Sequence, residues 1–306
     1  MRERPWMAFR VDQRLPGWDP KGMRNYTSGA AFPADFRVPE LPEVEAVACE
    51  VRAALRRSTI IDARVRRWSV IAGAGRRADR LLVGARVHDI LRHGKQLALV
   101  GANGCVLVVQ LGMSGSFGVV PASAPLEPHT HVAWTLDRSR ELRFVDPRRF
   151  GGITWLKDRA ALVARWSRLG PDALALPTGW STPIASSRRA IKAALLDQRT
   201  IAGVGNIYAD EALSLVSIAP QRPCGRLTSV QFEALGRAVG SIMRSALASG
   251  GSTIRTYRRM GGGAGAFQAS LRVYGRADQP CVACSRPLRS GLVAGRTTVW
   301  CAACQS

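Results

Sequence analysis

The pattern of apolar and polar positions changes character twice along these 306 residues. Across residues 40–57, Val44, Val47, Val51 and Leu55 recur at three- and four-residue spacing, which predicts an amphipathic helix. Short β-like runs follow at 59–65, 81–91, 96–100, 105–111, 131–136 and 141–145. Gly84, Gly94, Gly104 and the proline-bounded segment 121–128 punctuate these runs. The first half therefore predicts a β-sandwich rather than alternating βαβ units. After about Lys157 the period becomes helical, at 159–169, 188–197, 208–215 and 229–248, and Leu169-Gly170-Pro171-Asp172 reads as a linker between halves. Residues 281–306 are too few to fold around a core of their own without a staple. No internal repeat is present.

Cysteine spacing supplies that staple. Cys281-x2-Cys284 and Cys301-x2-Cys304 form two knuckles, separated by a stretch long enough for a β-hairpin. This spacing suits one tetrahedral Zn2+ held by four thiolates, a zinc ribbon. Disulfides are the alternative, but no export signal is evident and Cys49, Cys105 and Cys224 lie scattered, as small core or loop residues do. Four cysteines leave no coordination position open for substrate, so the zinc is expected to be structural, with Arg296 carried on the hairpin.

Charge narrows the partner. The chain holds 44 Lys+Arg against 22 Asp+Glu, a formal charge of +22, which points to a polyanion. Seven of the basic residues and four of the acidic ones precede Pro39, so the remainder keeps +19. Nearly all the cations are arginine, and the only lysines are Lys21, Lys95, Lys157 and Lys192. Each lysine matters because arginine does not give up its proton to act as a base. No apolar run reaches the ~18–20 residues of a membrane span. Residues 1–37 lack the features of a signal peptide. They read as a tail, or as untranslated sequence upstream of a start codon at Val38.

Several motifs carry a family resemblance. Val38-Pro39-Glu40-Leu41-Pro42-Glu43-Val44-Glu45 resembles the mature start of bacterial formamidopyrimidine-DNA glycosylases, with Val38 in the place of the initiator methionine. Leu111-Gly112-Met113-Ser114-Gly115, Asp146-Pro147-Arg148-Arg149-Phe150-Gly151, Ile191-Lys192 through Asp197-Gln198 and Gly203-Val204-Gly205-Asn206-Ile207-Tyr208-Ala209-Asp210-Glu211 resemble further signatures of that family, in order. Gly250-Gly251-Ser252-Thr253 and Val273-Tyr274-Gly275-Arg276 complete the set, so the likeness spans Pro39 to Gln305. It implies an α+β chain: an N-terminal β-sandwich with an N-terminal helix (39–156), a helical domain with a helix–two-turn–helix (157–270) and the zinc ribbon (271–306), behind an extension at 1–38. It also implies a monomer in the bacterial cytoplasm that acts on duplex DNA containing an oxidised base or abasic site.

The resemblance assigns roles residue by residue. Pro39, as a free N-terminal secondary amine, would attack C1′ of a damaged nucleotide, expel the base and hold the sugar as an imine. A proline inside a chain has no such lone pair. Glu40 would protonate the sugar ring oxygen, Lys95 would serve β-elimination, and Arg296 would bind phosphate and serve δ-elimination. Asn206 would clamp phosphate beside a helix N-terminus. Met113 and Phe150 would fill the gap left by an extruded base, with Arg148 reading the orphaned partner. Arg149, His129 and Arg188 would contact DNA, and the glycine-rich stretch 258–267 would cover the extruded base. Without the family, Met113 and Phe150 read as core, the arginines as phosphate contacts, and Glu43 and Glu45 as acids of a first helical turn. Two positions depart from the pattern. Gln110 stands where the family often has histidine, and Ser187 falls near a basic phosphate-binding position. Two other activities remain open: an endonuclease VIII-type enzyme for oxidised pyrimidines, disfavoured by Leu41, and a non-catalytic lesion binder if Pro39 stays acylated.

Overall fold

The computed structural model describes residues 39–55, 58–75, 77–249 and 267–306. The expectations for 1–38, for Gly250–Thr253 and for 258–266 lie outside these residues. Helix α1 (Leu41–Leu55) follows the amphipathic pattern, with Glu43 in its first turn and Arg52 in its last, as the helix dipole favours. Its two ends belong to different cores. Val44, Val47, Val51 and Leu55 pack into the sandwich, whereas Leu41 is buried among the helices of the second half. Fully burying a leucine is worth roughly 1.5–3 kcal/mol, so the start of α1 is pinned at the junction of the two halves.

The sandwich has two sheets. One contains β1 (Ile60–Val65), β6 (Ser116–Pro121), β7 (Thr130–Leu136) and β8 (Arg140–Val145), in the order β1-β7-β8-β6. The other contains β2 (Ile71–Ala72), β3 (Val87–His93), β4 (Gln96–Gly101), β5 (Val106–Gln110) and β9 (Gly152–Leu156), in the order β2-β9-β5-β4-β3. Between the sheets, Phe117 meets Trp134 edge to face at 5.9 Å. The run expected at 81–91 is a strand only from Val87. Leu81 and Leu82 sit in a turn, fully buried, with Leu82 at φ 64; they are apolar because they fill the sandwich, not because they alternate on a strand. Strands β6 and β9 fall outside the expected runs, since each opens beside the glycines of a motif loop and carries a glycine itself.

The second half is helical. Helix α2 (Arg159–Trp166) is capped by Asp158, which accepts from Ala161 N at 2.7 Å. Helices α3 (Ile191–Leu196), α4 (Asn206–Leu215) and α5 (Ser229–Ala248) follow, α5 opening on a capping box between Thr228 and Gln231. Helix α3 starts later than expected because Ala190 forms a β-bridge to Pro223. The ribbon hairpin pairs β10 (Arg289–Val293) with β11 (Arg296–Trp300), and its buried side belongs to a small cluster with Val273, Cys281, Leu288, Val299 and Cys301.

Candidate active site and nucleic-acid interface

Glu40 stands at the joint between the halves, with Pro39 buried next to it. The loop before α4 wraps this joint. Gly203 O accepts from Leu41 N at 3.2 Å, while Gly205 N and Ile207 N donate to the Glu40 carboxylate at 2.7 and 2.9 Å. The anion at the N-terminus of α4 is therefore Glu40 itself, which uses the amides that sequence reasoning had left for phosphate. Gly203 (φ +111) and Gly205 lie under this joint. A Cβ at Gly203 would strike the Leu41 side chain, and one at Gly205 would strike the Glu40 carboxyl group and the Lys95 Nζ. Glu43 accepts from Glu40 N at 3.0 Å and from Tyr208 OH at 2.8 Å, so it braces α1 against α4.

Lys95 reaches the same point from the β3–β4 hairpin. Asp172 orients that hairpin, accepting from Gly94 N at 2.8 Å and from both Arg92 Nη atoms at 2.5 and 3.1 Å. Arg92 also pairs with Glu45 of α1, and His93 Nε2 lies 3.0 Å from Gly170 O. The stretch read as a linker is thus a fastening for the Lys95 hairpin. Burial opposes the Asp172 charge, but the Arg92 guanidinium outweighs it and holds the carboxyl below its ordinary range.

The ribbon closes the site. Lys192 is completely buried and reaches Asp210 Oδ1 at 2.7 Å, Thr298 Oγ1 at 2.7 Å and Thr297 O at 3.2 Å. Asp210 Oδ2 also accepts from Val299 N at 3.2 Å, so the pair clamps the strand that starts with Arg296. Asn206 Nδ2 donates to Thr297 O at 2.9 Å. Asn206 neither caps α4, whose cap is Gly205, nor points away from the ribbon. Glu211 gathers Arg272 N, Val273 N and Tyr274 N at 2.8–2.9 Å, which sets Tyr274 beside the site. A cavity of about 140 Å³ results, lined by Glu40, Lys95, Asn206, Tyr274 and Arg296 among others.

Electrostatics suit proton traffic. Burial pushes Glu40 up to about 7, with Glu43 adding to the rise, while Lys95 and the two backbone amides pull it down. Burial also lowers Lys95, and Arg296 lowers it further, against the pull of Glu40. The cavity thus pairs a carboxyl able to hold a proton near neutrality with an amine readier than usual to lose one.

A second cluster lies at one end of the sandwich. The loop 111–115 leaves β5 for β6, and the loop 146–151 leaves β8 for β9. The ladders Gln110–Gly152 and Ser116–Val145 flank them, so the two loops run side by side from sheet to sheet. They touch backbone to backbone: Gly112 is at φ +64, and a Cβ there would strike Phe150 and Gly151. This brings together Met113, Arg148 and Phe150, expected as a triad. Met113 and Arg148 are half-buried, and Phe150 is 45% exposed with the Arg148 guanidinium over its ring at 4.5 Å. A core role for Phe150 does not fit that exposure. Arg149 and His129 are exposed at positive φ, whereas His131 is buried with Nε2 2.8 Å from Asp146 O. Arg188 is exposed on the approach to α3, while the neighbouring Arg189 pairs with Asp197. Gln110 accepts from Arg165 Nη2 at 3.3 Å.

The four knuckle cysteines also converge, with all Sγ atoms within 4.8 Å of one another and Cys284 Sγ 3.5 Å from Cys301 Sγ. Such a cage can hold a metal ion. Sequence reasoning assigned nothing to Asp146, Asp172, Tyr208 or Tyr274. Asp146, Tyr208 and Tyr274 are marked only by their place inside motifs and Asp172 only by its place in the apparent linker, because the partners that give them their roles lie on other elements.

Comparison with known proteins follows the same lines. Residues 38–153 match the model of the formamidopyrimidine-DNA glycosylase N-terminal domain, and residues 169–258 match that of the formamidopyrimidine-DNA glycosylase H2TH domain. A formamidopyrimidine-DNA glycosylase of Syntrophotalea carbinolica is 38% identical over 275 residues, covering 88% of this chain and all of that protein. The crystal structure of MutM (Fpg) from Thermus thermophilus superposes with a TM-score of 0.78 at 38% identity, over 87% of this chain and 98% of that one. The Lactococcus lactis Fpg, solved with DNA containing an abasic site, gives 0.80 at 30% identity, over 88% of this chain and all of that one. The same Lactococcus protein solved with Fapy-dG DNA gives 0.79 at 29% identity, over 87% and 100% of the two chains.

Proposed function

This chain belongs to the formamidopyrimidine-DNA glycosylase family, and from that membership we propose that it removes oxidised purines, 8-oxoguanine and formamidopyrimidines, from duplex DNA and cuts the abasic site left behind. The observation that carries this reading is the single cavity where Glu40, Lys95, Asn206 and Arg296 meet beside Pro39. Pro39 N attacks C1′ and gives up its N–H proton, and the C1′–N bond to the base breaks with its electron pair leaving on the base, which takes up that proton. Glu40 delivers its proton to the ring oxygen, which opens the sugar and leaves the imine on Pro39. Loss of a C2′ proton then expels the 3′ phosphate, and Lys95 moves that proton. A second elimination expels the 5′ phosphate, held by Arg296 and Asn206. Around the duplex, Met113 and Phe150 fill the vacated stack, Arg148 addresses the partner base, and His129, Arg149 and Arg188 meet phosphates.

The ribbon holds Zn2+ in this reading. At ~2.3 Å per Zn–S bond, tetrahedral thiolates stand a little under 4 Å apart, a spacing that Sγ atoms within 4.8 Å of one another can adopt around an ion. The metal would fix the hairpin and supply no chemistry. The site is complete within one chain, which supports a monomer, and no helix among the described residues is long and apolar enough to cross a membrane. We place the protein in the bacterial cytoplasm, with its DNA.

Catalysis requires Pro39 to be the amino terminus, because only a free amine forms the imine; the family match begins at residue 38. A chain that retains residues 1–38 would bind lesions without cutting. The test is borohydride trapping on lesion DNA, with peptide mapping of the adduct and mass spectrometry of the natural N-terminus. An adduct on Pro39 of a chain beginning there is expected. Strong trapping by a verified chain beginning at Met1 would overturn the assignment.

A further inference from the structure

The loops that carry Met113 and Arg148–Phe150 have no ladder between them, yet one side chain ties them together. Asp146 is fully buried. Its Oδ1 accepts from Ser114 Oγ at 2.5 Å and from Arg148 N at 3.3 Å, and its Oδ2 accepts from Gly151 N at 2.7 Å. The Ser114 hydroxyl in turn accepts from Arg148 N at 3.2 Å. The backbone of the same residue extends the tie, since Asp146 N donates to His129 O at 3.1 Å and Asp146 O accepts from Arg149 N at 3.3 Å. The close approach of Gly112 to Gly151 brings the loops together, but a backbone contact alone does not fix how one slides along the other. Directional hydrogen bonds do fix it.

We propose that Asp146 is a positioning residue that locks the two loops, through Ser114, into one wedge that enters the duplex with Met113, Arg148 and Phe150 at a set spacing. Discrimination of the partner base then depends on the lock, because Arg148 can measure the partner only from a fixed position. The proposal rests on the interface assigned above to those three side chains. It does not involve the cavity around Glu40 and Lys95.

Two substitutions test the lock in the chain that begins at Pro39. Asp146→Asn keeps the shape but replaces one acceptor with an N–H that faces another donor. Ser114→Ala removes the bridging hydroxyl, and Ser114→Thr restores it. Single-turnover excision is measured on duplexes with the lesion opposite C and opposite A, together with cleavage of an abasic site in a single strand, which offers no partner to read. Asp146→Asn and Ser114→Ala should slow duplex excision by about five- to 150-fold, the range spanned by losing a buried hydrogen bond. They should also narrow the C-over-A ratio and leave single-strand cleavage unchanged. Ser114→Thr should regain the ratio. Variants that keep the wild-type ratio overturn the proposal, as does a parallel loss of single-strand cleavage, which would mean a general structural defect. If Asp146→Asn does not fold, Ser114→Ala decides by the same ratio. An unsubstituted chain that cuts single strands but shows no preference between C and A overturns the lock alone; one that cuts nothing overturns the proposed function.

Discussion

Glu40 combines two demands on one carboxyl group. It terminates α4 by accepting from Gly205 and Ile207, which favours the charged form, yet burial holds it up at about 7. Below that value it carries a proton, which in the proposed reaction goes to the ring oxygen, and as pH rises through it that donor disappears. Base excision should therefore fall on the alkaline side of about 7, whereas cleavage of a preformed abasic site, which can react through its ring-opened aldehyde, should fall less. Stability moves the same way. A carboxyl whose folded pKa is raised above its unfolded value stabilises fully only below the unfolded pKa, and the benefit is lost as pH rises through the folded one. Relative to Glu40→Gln, the native protein should lose about 3 kcal/mol between pH 4 and pH 8. The slope is the diagnostic, because glutamine also lacks one of the two acceptors. Urea melts of both proteins across that pH range measure it, and parallel curves would show that Glu40 titrates as an ordinary carboxylate.

Individual elements place the reacting groups through ion pairs buried at their crossings. The β3–β4 hairpin could pivot on its two strands, and Asp172 prevents this by holding Arg92 and Gly94 at once. Arg92 and Asp172 have side chains only 8% and 15% exposed, so removing the acid breaks two hydrogen bonds to the guanidinium, leaves it with Glu45 alone and leaves the Gly94 amide without its acceptor. Asp172→Ala should therefore destabilise the protein by about 3–5 kcal/mol. Glu45→Ala should cost less, since Asp172 still pairs with the arginine. Chemical denaturation ranks the two. Lys192 and Asp210 do for the ribbon what Arg92 and Asp172 do for the hairpin, with both side chains fully buried.

For the whole molecule, the site exists only because three separate cores are held in register. Helix α1 is shared by the sandwich and the helical half, and the cavity is completed by Arg296 from the ribbon. The ribbon has a small cluster of its own, built on Val273, Leu288, Val299 and two cysteines, too few apolar groups to fold it alone. Cys284→Ser, or strong chelation, should unfold this unit, displace Arg296 and weaken DNA binding while the sandwich keeps its own melting transition. Elemental analysis for zinc and a calorimetric scan decide this. A metal-free protein with undiminished cutting would remove the structural role of the cysteines.

The sequence alone determined what depends on neighbours in the chain. The spacing of Val44, Val47, Val51 and Leu55 made α1 a helix, the period across residues 229–248 placed α5, and the two Cys-x2-Cys turns specified a four-cysteine cage able to hold a metal ion, because each is a local geometry written at a fixed interval. The strands were legible where they were long and apolar. They were misread at Leu81–Leu82, where burial without alternation mimics a strand, and overlooked at β6 and β9, where glycine thins the signal. Motifs brought Glu40, Lys95 and Arg296 into one expected site by likeness, not by physics. Tertiary structure alone decided which group satisfies which. Glu40 takes the amides of α4 across 165 positions of chain, Asp172 turns an apparent linker into a fastening, and Asp146 joins two loops that share no ladder. A polar side chain carries no mark of its partner. Packing selects that partner by bringing distant segments together and burying both groups, where an unmade hydrogen bond or ion pair costs more than in water.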